Sequence, residues 1–213
     1  MVKTLGRTGI FAVVMLLASG AGLLAQSPPQ NGSAQPPFNS RPFSADMTMT
    51  GPMGTQQGKV YAGDNAYRSE MNVGPGMTMA TIVRYDKKVV WMLMPGNRYM
   101  EMPLGERAGT AAALRDKSAK FETQDLGPEK VGPYDCEKYR IHTTTPDYET
   151  TSVVWVGKSG DAKGFVVKIQ DEKSGMTIEY SNIKPGQPDR SVFEVPPGYQ
   201  KMEMPMPGAM PHP

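Results

Sequence analysis

Residues 153–199 read VVWVGKSGDAKGFVVKIQDEKSGMTIEYSNIKPGQPDRSVFEVPPGY, and this stretch decides the fold. Three apolar runs stand out, at 152–156, 165–170 and 176–182. Each is short, rich in Val, Ile, Phe, Trp or Tyr, and bounded by Gly, Asp, Lys or Ser, which is the pattern of a strand. The joints are hairpin-sized: KSGDAKG at 158–164 and DEKSG at 171–175. Neither leaves room for a crossover helix, so the strands form an antiparallel meander. The closing FEVPPGY carries two adjacent prolines, Pro196 and Pro197, which stop the sheet.

The same pattern extends toward the N-terminus. Strands are predicted at 43–49, 57–62, 66–72, 77–85, 89–94, 98–102, 121–126, 136–144 and 149–156. The turns between them are Gly63-Asp64-Asn65, Asp86-Lys87-Lys88 and Pro95-Gly96-Asn97. In the first strand Phe43, Ala45, Met47 and Met49 share one face, with Ser44, Asp46 and Thr48 on the other. One segment departs from this alternation: LGERAGTAAALRDKSA at 104–119 is Ala-rich, lacks a β-branched run and predicts a helix. The expected architecture is mainly β, a curved antiparallel sheet of about ten strands with one inserted helix; a sheet of that size curls or closes.

Four stretches carry a resemblance to a known family. They are YAGDNAYRSEM at 61–71, IVRYDKKVVW at 82–91, YDCEKYRI at 134–141 and the segment from Thr177 to Tyr199 ending FEVPPGY. In strand order and in this ending, the chain resembles the LolA-like family of periplasmic lipoprotein-sorting proteins, in a branch of unknown function. The resemblance implies a half-barrel capped by helices over an apolar cavity. It also implies a lipid or an acylated protein as partner.

The chain ends read differently from this domain. Lys3 and Arg7 precede the apolar run 10–17, and small residues follow to Ala25, as in a secretory signal peptide. Even the generous span 10–24 is shorter than the roughly 20 apolar residues a spanning helix needs. Residues 26–42 are rich in Pro, Gln, Ser and Asn and read as a disordered leader; 201–213 read as a Met- and Pro-rich disordered tail. Between them lies one β domain, 43–200, expected to be a monomer in the periplasm or outside the cell. The 23 Lys and Arg stand against 21 Asp and Glu. Losing Lys3 and Arg7 with the signal peptide makes the two signs equal, so nothing steers the protein to nucleic acid or to an anionic membrane surface. Cys136 is the single cysteine, so an exported fold holds without an internal disulfide.

Catalytic and metal signatures are sparse. His142 and His212 are the two histidines, and neither H-x-x-H nor C-x-x-C occurs. Cys136 and His142 share a face of one strand but lie about 20 Å apart at ~3.4 Å per residue, too far for a dyad. Cys136 reads as a small buried residue and Asp171-Glu172 as a solvated turn. No cofactor and no enzymatic activity is expected.

Methionine is abundant, at 17 residues, and recurs at i, i+2 in Met47/Met49, Met77/Met79, Met92/Met94, Met100/Met102 and Met202/Met204/Met206. On a strand that spacing places both residues on one face. Methionine is not a favoured strand residue, but it is flexible and polarizable and suits surfaces that adapt to varied apolar ligands. These residues either line an apolar trough or fill an irregular core. The candidate lining set is Met47, Met49, Met79, Trp91, Leu93, Met100, Met102, Trp155, Phe165, Val167, Ile178 and Tyr180. The expectation is an exported binding protein for an acyl chain or lipid. Two alternatives are Cu(I) handling by thioethers, for which the tail is the candidate, and a structural envelope role without ligand. Export has a direct check: protein recovered from the cell envelope is expected to lack residues 1–25 by intact mass. Retention of the whole segment in a membrane-pelleting protein would overturn it.

Overall fold

Alternating apolar and polar side chains from Phe43 onward build one curved sheet. The structure is a computed structural model that describes residues 37–39, 41–52, 54–104, 119–145 and 149–202. Its strands are β1 (Phe43–Gly51), β2 (Gly54–Ala62), β3 (Ala66–Gly74), β4 (Met77–Arg84), β5 (Val89–Met94), β6 (Arg98–Pro103), β7 (Lys120–Val131), β8 (Tyr134–Thr144), β9 (Glu149–Gly157), β10 (Val166–Asp171), β11 (Thr177–Pro185) and β12 (Gln200–Met202). Their order across the sheet is β12-β6-β5-β4-β3-β2-β1-β11-β10-β9-β8-β7. Two meanders, β2–β6 and β7–β11, are therefore joined through β1, which pairs with both β2 and β11.

The sheet has 12 strands rather than about ten, and it is mixed rather than wholly antiparallel. The added strand is β12, which pairs in parallel with β6. Its Lys201 and Met202 belong to the expected tail, yet the Gln200 amide donates to the Asn97 carbonyl at 2.8 Å. Strand β7 runs through Gly127 and Pro128, turn residues that halted the predicted strand at 126. A register shift between Asp125 and Gly127 absorbs them, with Gly127 at φ 84°. The helix expected over 104–119 falls on 105–118, outside the described residues. Among the described residues there are no α-helices, only 3-10 turns at Gly160–Ala162 and Arg190–Phe193. None is long and apolar enough to cross a membrane. The end of the expected leader is docked: the Asn39 amide donates to Gly164 O at 2.7 Å, and the Arg41 guanidinium lies 5.0 Å from the Phe165 ring centroid.

Two apolar clusters hold the sheet. The larger joins Phe43, Ala45, Met47, Val60, Tyr67, Val154, Phe165, Val167, Ile169, Ile178 and Tyr180, among others, across both meanders. The rings of Phe43 and Phe165 are 5.2 Å apart and tilted by 56°, an arrangement aromatic pairs favour. Gly58 sits in β2 between Met47 and Met71, where a Cβ would fall onto the Glu70 carbonyl of β3. The smaller cluster lies on the opposite face: Ala66, Ala80, Ile82, Trp91, Leu93 and Phe193 are buried, with Val192, Val195 and Tyr199 packed beside them.

Residues 190–199 thus cover one face of β3–β6. Polar contacts pin them: Arg68 donates to the Val192 carbonyl at 2.9 Å, and Arg84 and Lys87 both reach the Glu194 carboxylate. Phe193 is the apolar anchor, 4% exposed. Phe193→Ala is expected to cost about 3–5 kcal/mol in denaturant unfolding and to red-shift Trp91 emission. An unchanged midpoint would show that this segment is not part of the core.

Candidate functional site

Side chains of paired residues on neighbouring strands point to the same face, and alternate residues along a strand point to opposite faces. The register therefore sorts every candidate residue. Met47 pairs with Gly58 and with Tyr180, and Met49 with Ile178. Gly58 pairs with Met71, and Met71 with Met79. Thr81, two residues beyond Met79, pairs with Met92; Met92 pairs with Met100, and Met100 with Met202. Val90 pairs with Met102. All of these methionines lie on one face of the sheet.

Burial divides that face in two. Across β1, β9, β10 and β11 it is sealed: Met47 is 3% exposed, Ile178 2%, Tyr180 5% and Val167 0%. Across β3–β6 and β12 it is partly open. Met71, Met79, Met92, Met94, Met100, Met102 and Met202 are all half-buried, as is Met49 on β1. Met47 is sealed in the core, whereas the β3–β6 methionines are half-buried.

Three expected lining residues lie elsewhere. Trp91 and Leu93 pair with Glu101 and Tyr99, on the face opposite Met92 and Met100. They sit beneath residues 190–199, with Trp91 Nε1 donating to Glu101 at 2.8 Å. Trp155 pairs with Lys138 and Lys168, and both ammonium groups stack on its ring at 5.0 and 5.2 Å. Its neighbour Val154, not Trp155, pairs with Ile169 on the methionine face. Met71, Met92, Met94 and Met202 were absent from the expected set. The signal for Met92 was present: the turn Pro95-Gly96-Asn97 pairs Met94 with Arg98, and so Met92 with Met100. Nothing local in the sequence signals Met202, whose face is set by a parallel pairing.

At the β7–β10 end the methionine face mixes apolar side chains with polar ones. Thr123, Thr143, Ser152 and Asp171 are buried there. Asp171 is an anchor rather than a solvated turn residue. It accepts from Ser174 Oγ at 2.6 Å and from Thr150 Oγ1 at 2.9 Å. Burial opposes its ionisation, but these donors prevail and hold its carboxyl below the usual range. Thr123 Oγ1 is buried without a hydrogen-bond partner.

The opposite face of β8 carries the two groups with potential chemistry. His142 Nδ1 lies 3.0 Å from Thr151 Oγ1, and its Nε2 lies 3.1 Å from Glu149. Cys136 is a free thiol, 1% exposed, with Sγ 3.7 Å from the Tyr134 carbonyl. Burial pushes the thiol up to about 11, leaving it protonated at neutral pH. Among the described residues no group of three or more His, Cys, Asp or Glu side chains gathers as metal ligands would.

Register and burial define a β-sheet protein whose strands β3–β6 carry half-buried methionines on one face and a sealed cluster on the other. The chain belongs to the family described as domain of unknown function DUF4412, which matches residues 44–161. It is similar to three solved structures. The lipoprotein LppX of Mycobacterium tuberculosis is 15% identical, with a TM-score of 0.40, over 68% of this chain and 89% of that one. A domain of a putative outer membrane lipoprotein-sorting protein from Vibrio parahaemolyticus is 11% identical, with a TM-score of 0.33, over 71% and 88%. A DUF1329 family protein from Desulfovibrio piger is 12% identical, with a TM-score of 0.30, over 72% and 88%. The family itself is one of unknown function, as expected for the branch to which the chain was likened. No curated protein is a significant match to the chain.

The protonated, enclosed thiol has a measurable consequence. At pH 8 the folded protein is expected to leave Cys136 unmodified by a soluble disulfide reagent, whereas the urea-unfolded chain reacts fully. Rapid labelling of the native protein would show a reactive cysteine and reopen the question of thiol chemistry.

Proposed function

We propose that this protein is exported and holds an apolar ligand, an acyl chain or lipid, against the methionine face of β3–β6, without covalent chemistry. One observation carries the reading. The two faces of these strands are treated differently: residues 190–199 seal one, while the other presents half-buried methionines side by side. Flexible thioether side chains adjust to chains of differing length and branching at little packing cost.

The test replaces the lining rather than the core. A fluorescent long-chain fatty acid, displaced by unlabelled phospholipid, is the readout; Trp91 and Trp155 face away from the lining and are poor reporters. Met92→Glu is expected to weaken binding strongly, because the ligand then covers a carboxylate whose desolvation costs several kcal/mol. The fold is expected to persist, since Met92 is only half-buried. Unchanged binding in a folded Met92→Glu variant would remove the methionine face as the site, and saturable binding of neither ligand would remove the function.

A further inference from the structure

The methionine face is richer in sulfur than an apolar lining requires. On β9–β11 the apolar part of the same face is built from Val154, Ile169, Ile178 and Tyr180, the branched and aromatic residues that sheets favour. On β5, β6 and β12 it is built instead from Met92, Met94, Met100, Met102 and Met202. Three of these fall in one row across adjacent strands: Met92 pairs with Met100, and Met100 with Met202. Neighbouring strands lie about 4.8 Å apart, so the outer two thioethers need only lean inward to meet the central one. All three are half-buried and therefore reachable from solvent.

The third member is held in place from the opposite side. Lys201 Nζ bonds Glu101 at 2.7 Å, and the Gln200 amide bonds the Asn97 carbonyl. Lys201 therefore turns to the Trp91 face, which turns Met202 to the methionine face. Glu101 lies on that same Trp91 face, occupied by Trp91 and Lys201, so it contributes no carboxylate to the row. The charged side chain on the methionine face at this end is Arg98, exposed and paired with Met94.

A donor set of thioethers, without imidazole, thiolate or carboxylate, selects soft monovalent ions over Cu(II) or Zn(II). We propose that Met92, Met100 and Met202 form a binding site for Cu(I), at the β5–β6–β12 edge of the sheet. The site is complete only when the C-terminal segment is docked, because β12 supplies one of the three sulfurs.

Anaerobic Cu(I) titration against a competing chelator measures affinity, and carbon-13 methyl-methionine NMR with Ag(I), a redox-inert analogue, locates the site. The methyl resonances of Met92, Met100 and Met202 are expected to shift together and saturate. Met100→Leu keeps size and apolarity. It is expected to lower Cu(I) affinity by at least the ~10–100-fold that loss of an outer-shell partner already costs. Fatty-acid displacement is a separate readout: loss of Cu(I) binding in this variant supports the metal site whatever the variant does to the fatty acid, and loss of fatty-acid binding alone bears only on the apolar-ligand reading. A triple variant, Met204→Leu, Met206→Leu and Met210→Leu, is expected to bind Cu(I) as the wild type does. The proposal is overturned if that triple variant, and not Met100→Leu, loses Cu(I), or if Ag(I) leaves the three methyl resonances unmoved.

Discussion

The two-residue alternation along β3–β6 is the constraint on which the rest depends. It sends Ala80, Ile82, Trp91 and Leu93 one way and Met79, Met92 and Met94 the other. A single-layer sheet with apolar residues on both faces needs cover on at least one of them. Residues 190–199 supply it on the Trp91 face, and their continuation into β12 closes the exposed edge of β6. On the other face of β5 and β6 the methionines stay half-buried.

The charged contacts around that cover are numerous but secondary. Arg84 holds the Asp86 carboxyl down at about 2 by direct hydrogen bonding, and it also contacts Glu194. The Asp86 and Glu194 side chains remain 42% and 48% exposed, where ion pairs contribute roughly 0–1 kcal/mol each. Burying the Phe193 ring contributes more, on the order of 3 kcal/mol or above. The ion pairs set the direction in which residues 190–199 cross the sheet, and Phe193 supplies the hold.

Most strands were legible in the sequence because alternation and turn chemistry agreed, as at Phe43–Met49 and at Pro95-Gly96-Asn97. Where two apolar faces share one strand, alternation loses its contrast. In VVWMLM and VVWV every position is apolar, and bulk suggested Trp91, Leu93 and Trp155 as lining residues; register, not bulk, decides the face. Phe165, Val167, Ile178 and Tyr180 were recognised as important, but their near-complete burial makes them the floor of the domain rather than an open lining. Asp171 was read as solvated because its partners, Thr150 and Ser174, become partners only once strand and turn are in place. Strand β12 was out of reach, since a three-residue parallel pairing leaves no periodicity to detect.

The pairing of β1 with β11 has a kinetic consequence. Within each meander, every strand pairs with its neighbour in sequence, so those contacts are local and form early. The seam joining Phe43 to Pro185 and Met47 to Tyr180 connects opposite ends of the described chain. Its loop-closure entropy must be met before the larger core can assemble. Synthesis from the N-terminus therefore leaves β1 with only β2 beside it until nearly the whole chain has emerged. For that interval the edge of β1 is unpaired, an aggregation hazard during synthesis.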